Sequence, residues 1–196
     1  FKKLRKHLNV KLLKSNSDTE VLLNLYEEMG TKVFKLIKGM FSILIYDLKS
    51  KKILVARDQF GIKPLYVSET NESIIFSSEI KPILYYSSKT NLNYNSMAEF
   101  LFLGKQDHHN VTFFKGVEAI RPSFYYKYEK NNIIKKRYWS IFDSNPKKIN
   151  KELTVNKLSK LLDSKIEDYL ISDKKIGVFM SSGVDSTCLA SIVSKK

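Results

Sequence analysis

The chain has 196 residues, which is enough for one large domain or for one domain and part of a second. Apolar residues make up 43% of it, and no apolar run approaches the roughly 18 to 20 residues needed to span a bilayer. The net charge of +14 is spread over both halves of the chain, and only four of the 34 basic residues are arginine, which nucleic-acid readers favour. This composition predicts a soluble protein that binds neither nucleic acid nor membrane.

The single cysteine, Cys188, excludes an internal disulfide and favours a reducing compartment, so we expect a cytoplasmic protein. No histidine lies near Cys188 in the sequence to activate its thiol, and we expect a packed small side chain rather than a nucleophile. The first residue, Phe1, is not an initiator methionine, and no apolar signal-peptide segment follows it. We therefore expect a fragment that lacks its natural start.

The first predicted element is an amphipathic helix. Ser17 to Glu20 match the capping box S-x-x-E, in which the serine caps the helix and the glutamate binds back to the backbone of the cap residue. Apolar side chains then recur at helical spacing up to Gly30. They are Val21, Leu22, Leu25, Tyr26 and Met29.

Four short β-rich runs follow, at residues 40–47, 52–58, 65–68 and 73–77. The first two flank a turn and predict a hairpin. Gly61 and Pro64 break the chain between the second run and the third. We predict that the four strands pair in sequence order as one antiparallel meander.

Two further helices are predicted after these strands. The first covers residues 79–85, and the second is capped by Asn95 and closed by Gly104. The adjacent His108 and His109 raise the question of a metal site. Neighbouring side chains in an irregular loop rarely converge on one ion, so we expect a solvated loop and no bound metal there.

A second hairpin is predicted from residues 124–128 and 133–138. Residues 140–151 lose this pattern and are the best candidate for a linker between domains. Beyond them, apolar residues at helical spacing predict a long amphipathic helix over residues 153–170.

A polar loop near the end of the chain is the strongest candidate for a functional site. Residues 176–180 form an apolar run without helical spacing, and a helical pattern resumes after the loop, which predicts strand, loop and helix. The loop, here called the SSGVDS loop, consists of Ser181, Ser182, Gly183, Val184, Asp185 and Ser186. Its hydroxyls and backbone N–H groups would lie at the positive end of a helix dipole, which favours phosphate. Gly183 permits a positive φ, and Asp185 can cap the helix or hold a cation against phosphate. On the residues alone, a turn whose side chains merely cap a helix is an equal alternative.

Several segments resemble known families. The SSGVDS loop is similar to the SGGxDS pyrophosphate loop of the N-type ATP pyrophosphatases, although Ser182 stands where that family has glycine. Residues 57–66, RDQFGIKPLY, resemble the RDxxGxxPLY segment of class II glutamine amidotransferases, whose nucleophile is N-terminal. Residues 17–21, 39–41, 77–81 and 137–139 are similar to that class as well. In this order and spacing, the segments resemble the glutamine-hydrolysing asparagine synthetase family over nearly the whole chain.

The resemblance implies an α+β fold for residues 1–140, a partial glutaminase domain of the N-terminal nucleophile hydrolase type with antiparallel sheets and helices. Residues 141–196 would hold the linker and the start of a Rossmann-like α/β synthetase domain. In the family, an N-terminal cysteine takes ammonia from glutamine, and ATP with Mg²⁺ activates aspartate as β-aspartyl-AMP. Ammonia then gives asparagine, with glutamate, AMP and pyrophosphate as the other products. The implied partners are glutamine, aspartate and ATP, and a homodimer is a possible assembly.

The family's site residues carry over to a few positions. Asp18 resembles the acidic residue that holds the α-amino group of glutamine, and a carboxylate at a helix start suits that role. Met180 and the six residues of the SSGVDS loop resemble the ATP site. Residues resembling those that shape a turn beside the glutamine site are Arg57, Asp58, Gly61 and Pro64. The family nucleophile would precede residue 1, and the remaining ATP and aspartate residues would follow residue 196. We therefore assign no catalytic residue and expect the fragment alone to be inactive.

Two alternatives stay open. A relative that amidates or cyclises another carboxylate, such as a sugar acid, a peptide or a β-lactam precursor, would share all of these motifs. A non-catalytic scaffold could also keep the fold. Ser182 bears on this second alternative, because the family glycine either supplies a φ that serine resists or only keeps space clear for phosphate. We expect the latter, since Gly183 remains to take the sharper turn.

Overall fold

The computed structural model describes residues 2–5, 8, 13–15, 17–70, 73–87, 91–106, 110–129, 132–144, 150–172 and 174–196. The chain divides into two compact units, residues 1–143 and 144–196. In the described part of the chain, every helix is too short or too polar to cross a membrane.

The first unit combines helices with short antiparallel strands. Its helices are α1 (Lys2–Arg5), α2 (Asp18–Met29), α3 (Ile80–Ser87) and α4 (Tyr94–Leu103), with 3-10 helices at Gly30–Lys35 and Ile141–Asp143. Its strands are β1 (Ser42–Asp47), β2 (Lys52–Arg57), β3 (Tyr66–Glu69), β4 (Ile74–Ser77), β5 (Val117–Ala119), β6 (Phe124–Glu129) and β7 (Asn132–Arg137). The predicted hairpins β1–β2 and β6–β7 are confirmed, as is the α+β class with antiparallel sheets.

The strands form two antiparallel sheets, so the predicted single meander is wrong. The first sheet has the order β1-β2-β6-β7 and the second has the order β4-β3-β5. β2 pairs with β6, where Val55 lies opposite Tyr126, and β3 pairs with β5, a strand that the sequence pattern did not reveal. The prediction failed because the loop between β2 and β3 carries the chain out of the first sheet. The pairing partners of both strands therefore come from distant segments.

β2 is buried on both of its faces, since its side chains alternate between the two faces of the first sheet. Leu54 and Ala56 belong to one core cluster, and Val55 belongs to the other. The first cluster includes Val21, Leu25, Val33 and Phe34, from α2 and the 3-10 helix that follows it. The second includes Leu65, Val67, Ile120, Tyr126 and Tyr128. α2 itself therefore packs on the first sheet, and this packing holds the start of the helix in place.

The loop between β2 and β3 is shaped by two charged side chains. Asp58 is 1% exposed, and its carboxylate accepts hydrogen bonds from the N–H groups of Phe41, Phe60, Ile62 and Lys63, at 2.9 to 3.3 Å. The Arg57 guanidinium donates to the carbonyls of Gly61, Lys63 and Ile120. Gly61 has a φ of 65°, and a Cβ there would lie 2.8 Å from Cγ of Pro122. Arg57, Asp58 and Gly61 therefore shape this turn, as expected.

The predicted helices α3 and α4 are present, but the cap of α4 is Asn93 rather than Asn95. The Asn93 side chain accepts from the N–H of Ser96, and Asn95 lies inside the helix. The two asparagines offer the same chemistry two positions apart, so the sequence did not distinguish them. Gly104 ends α4 in the left-handed conformation, as predicted. The predicted loop at His108 and His109 lies outside the described residues.

The second unit contains α5 (Lys151–Tyr169) and α6 (Val184–Val193), so both predicted helices are confirmed. The predicted strand at residues 176–180 does not form, and Phe179 within it is fully exposed. A strand needs a partner to bond with, and the described part of this unit contains no second strand. Cys188 is exposed, so the expectation of a packed thiol is wrong. The middle of the predicted linker, residues 145–149, lies outside the described residues.

Candidate functional site

Asp18 is the first residue of α2, and its side chain is exposed. Within the described residues, its carboxylate accepts a long hydrogen bond of 3.4 Å from the hydroxyl of Thr19 and makes no ion pair. The positive end of the helix dipole favours a carboxylate at this position. Asp18 is therefore available to a positively charged group of a ligand.

The chain just before α2 is tied to the helix by Glu20. Glu20 Oε1 accepts from the N–H of Lys14 at 2.8 Å, and Oε2 accepts from the N–H and the hydroxyl of Ser15 at 2.7 and 2.5 Å. These hydrogen bonds lower the pKa of Glu20, and the bond from the Ser15 hydroxyl contributes most. Ser17 accepts from the N–H of Thr19 at 3.2 Å, which confirms Ser17 as the cap. The reciprocal bond expected from the N–H of Ser17 to Glu20 does not form, so this part of the prediction is wrong. That N–H donates instead to the Ser15 hydroxyl, at 3.1 Å.

Hydroxyl groups hold the SSGVDS loop against the start of α6. The N–H of Ser181 donates to Ser186 Oγ at 3.1 Å, and the two hydroxyl oxygens lie 3.0 Å apart. The N–H of Gly183 donates to Ser181 Oγ at 3.2 Å, and Thr187 Oγ1 donates to the Gly183 carbonyl at 2.7 Å. Thr187 lies one position beyond the predicted motif. A hydroxyl four residues after the loop glycine, within reach of its carbonyl, is the signal that could have identified it.

The loop backbone differs from expectation at Gly183. This residue is the N-cap of α6 with φ −72°, so the predicted positive φ is wrong. A Cβ at Gly183 would lie 3.2 Å from Ser181 Oγ, a tight contact that a small shift of this hydroxyl would relieve. Ser182 does not have a positive φ either. Asp185 is the second residue of α6 and forms no cap, since Gly183 occupies that position without a side-chain capping bond.

The loop residues fit a nucleotide phosphate with its Mg²⁺. The first N–H groups of a helix have no acceptor within it, so those of α6 can bind an anion. Asp185 is an exposed carboxylate beside them, and Met180 precedes the loop with 68% of its surface exposed. Nucleotide-bound Mg²⁺ typically needs only one or two carboxylates, besides phosphate oxygens and waters. A cluster of three or more His, Cys, Asp or Glu side chains, which the described residues lack, is therefore not required.

The fold and the motifs of the first unit together define a class of protein. The glutamine amidotransferase domain family matches residues 1–139, and the chain belongs to this family. Asparagine synthetase [glutamine-hydrolyzing] 2 from Bacillus subtilis is 30% identical over an alignment of 208 positions, gaps included, which covers 100% of this chain and 28% of that protein. The resemblance to glutamine-hydrolysing asparagine synthetases is thereby confirmed.

Two further similarities extend the comparison. Amidase chry2 from Gibberella zeae is 28% identical over 186 residues, which cover 91% of this chain and 27% of that protein. Among solved structures, glutamine phosphoribosylpyrophosphate amidotransferase from Bacillus subtilis, complexed with ADP and GMP, covers 99% of this chain and 40% of that chain, with 18% identity and a TM-score of 0.44. The chain spans little more than a quarter of the length of the two sequence relatives, at 28% and 27%.

Proposed function

We propose that the full-length protein is a glutamine-hydrolysing asparagine synthetase, which amidates aspartate with ammonia from glutamine and uses ATP with Mg²⁺. The observation that carries this proposal is the combination of two signatures in one chain. An amidotransferase domain over residues 1–139 is followed, in the second unit, by an SSGVDS loop at the start of a helix. Neither signature alone would pair glutamine with ATP.

On the glutamine side, Asp18 would bind the α-ammonium group. Its carboxylate is exposed at the first position of α2 and makes no ion pair with the described residues. A charged pair that becomes desolvated around a bound ligand is typically worth about 2 to 5 kcal/mol on truncation. Asp18 orients the amino acid in this account and takes no part in breaking its amide bond.

On the ATP side, the N–H groups at the start of α6 and the loop hydroxyls would bind phosphate oxygens. Asp185 would hold Mg²⁺ beside them, and Met180 would line the nucleotide. When bound, Mg-ATP would supply the adenylyl group that activates the β-carboxylate of aspartate, with pyrophosphate as the leaving group. The hydrogen bonds from Ser186 and Thr187 to the loop backbone keep the loop at the helix start, where the dipole favours phosphate.

A second candidate is amidation or cyclisation of a different carboxylate. We keep this candidate because a relative that is not named as an asparagine synthetase, Amidase chry2, is 28% identical, close to the 30% of the asparagine synthetase. The residues that we assign in this chain would bind glutamine and ATP, which both candidates would use. The choice of carboxylate would therefore depend on other residues.

Product analysis of the full-length protein tests both candidates. With glutamine, aspartate and Mg-ATP, we expect asparagine, glutamate, AMP and pyrophosphate in equal amounts, and no AMP when aspartate is omitted. ADP and phosphate as products would contradict the assignment of the SSGVDS loop. AMP formation with another carboxylate but not with aspartate would favour the second candidate.

A further inference from the structure

The side chain of Glu20 reaches farther than a helix cap requires. In a capping box, the glutamate accepts from the N–H of the cap residue itself. Here the Glu20 carboxylate accepts three hydrogen bonds from Lys14 and Ser15, six and five positions upstream respectively, at 2.5 to 2.8 Å. It thereby closes a loop of backbone that contains Asp18.

The hydrogen bonds that begin at Glu20 end on both neighbours of Asp18. The Ser15 hydroxyl, which donates to Glu20, accepts from the N–H of Ser17 at 3.1 Å. The Ser17 hydroxyl in turn accepts from the N–H of Thr19 at 3.2 Å, and the Thr19 hydroxyl donates to Asp18 Oδ1 at 3.4 Å. One connected set of bonds therefore holds the residue before Asp18 and the residue after it, and a long bond reaches one of the carboxylate oxygens of Asp18.

We infer that Glu20 is a positioning residue for the amino acid substrate, and that it acts through Asp18. The inference rests on the proposed role of Asp18 toward the α-ammonium group of glutamine. Misplacement of a substrate-binding group by about 1 Å can cost up to about 100-fold in rate. Loss of the Glu20 bonds would free the backbone around Asp18 and leave the charge of Asp18 unchanged.

The test is Glu20→Gln in the full-length protein. The substituted side chain has the same length as that of glutamate, but an NH₂ donor replaces one of its two acceptor oxygens. This donor would face the N–H groups of the upstream chain. We expect the KM for glutamine to rise about three- to tenfold, while the rate with ammonia as nitrogen donor stays within about twofold. The matched control is Glu27→Gln, which removes the same charge from an exposed position of the same helix and should change neither quantity.

A double-mutant cycle separates positioning from simple helix stabilisation. If Glu20 acts through Asp18, Glu20→Gln should change the KM for glutamine by less than about twofold once Asp18→Asn is present. Independent effects that multiply would overturn the inference. So would a Glu20→Gln protein that matches the Glu27→Gln control, or one that loses glutamine- and ammonia-dependent activity equally.

Asp18→Asn alone distinguishes failure of the inference from failure of the proposed function. If this variant leaves the KM for glutamine unchanged, the role of Asp18 is wrong and the role of Glu20 falls with it. If it raises the KM and Glu20→Gln does not, only the positioning role is overturned. Should Glu20→Gln fail to fold, Ser15→Ala is the second variant. It removes the hydroxyl that links Glu20 to Ser17, while Glu20 keeps its bonds from the backbone N–H groups of residues 14 and 15. We expect it to raise the KM for glutamine as well, but by less than Glu20→Gln does. An unchanged KM in Ser15→Ala would then overturn the inference.

Discussion

Ser182 occupies the position of a family glycine without the backbone conformation that would require one. Its φ is not positive, so it avoids the strain of about 1 to 3 kcal/mol that a side chain pays in that region. Its side chain is exposed, and its hydroxyl makes no hydrogen bond to another described residue. The hydroxyl is therefore free to donate to a bound phosphate. From the sequence, the family glycine at this position either supplies a φ that serine resists or only keeps space clear for phosphate. The observed backbone favours the second alternative.

Ser182→Gly in the full-length protein should consequently have a small effect. We expect the KM for ATP to change by less than about tenfold, or 1.4 kcal/mol. Ser182→Ala is the matched control, since it removes the hydroxyl and keeps the Cβ. A gain of about a hundredfold or more on Ser182→Gly would show that serine impairs the loop, and would favour the non-catalytic scaffold.

At the scale of elements, the loop between β2 and β3 connects the two sheets of the first unit. Its conformation depends on the Asp58 carboxylate, which replaces water for four backbone N–H groups. An asparagine would offer one acceptor oxygen and would place an N–H₂ donor against other donors. The loop also presents Phe60 to Trp139, with ring centroids 5.4 Å apart, so its order can be monitored.

Asp58→Asn should destabilise the first unit by about 2 to 4 kcal/mol, because hydrogen bonds to a buried charged group are lost and donors are left unsatisfied. Denaturant unfolding of the 196-residue chain, followed by the fluorescence of its single tryptophan, measures this loss. Asp143→Asn makes the same change at an exposed position of the same unit and should cost almost nothing. A loss for Asp58→Asn no larger than for this control would contradict the bonding described.

Local elements of this chain could be predicted, and long-range pairings could not. The hairpins and helices depend on alternation, spacing and caps within a few residues, and they were found. Two features depend on partners distant in sequence: the pairing of β2 with β6 and the existence of strand β5. Residues 176–180 form no strand because the described residues of the second unit offer no partner strand. At the candidate site, Asp18 and the SSGVDS loop were proposed from motif resemblance, and their roles stay predictions. The reach of Glu20 to Lys14 was missed, because a capping box predicts only the nearest acceptor geometry.

For the whole molecule, composition set only broad limits, and the order of short motifs carried the functional assignment. An excess of lysine on both units gave no indication of substrate. Membership of the amidotransferase family assigns glutamine chemistry to residues 1–139, whereas the use of ATP and aspartate is proposed from the second unit. The central claim is therefore that nitrogen passes from glutamine to aspartate in one protein.

Isotope transfer tests this claim most directly. The full-length protein would be incubated with glutamine labelled with ¹⁵N in its side-chain amide, together with aspartate and Mg-ATP. We predict that the label appears in the side-chain amide of asparagine, in an amount equal to the AMP formed. Label that remains in glutamine, or that is released only as free ammonia while aspartate is unchanged, would contradict the account.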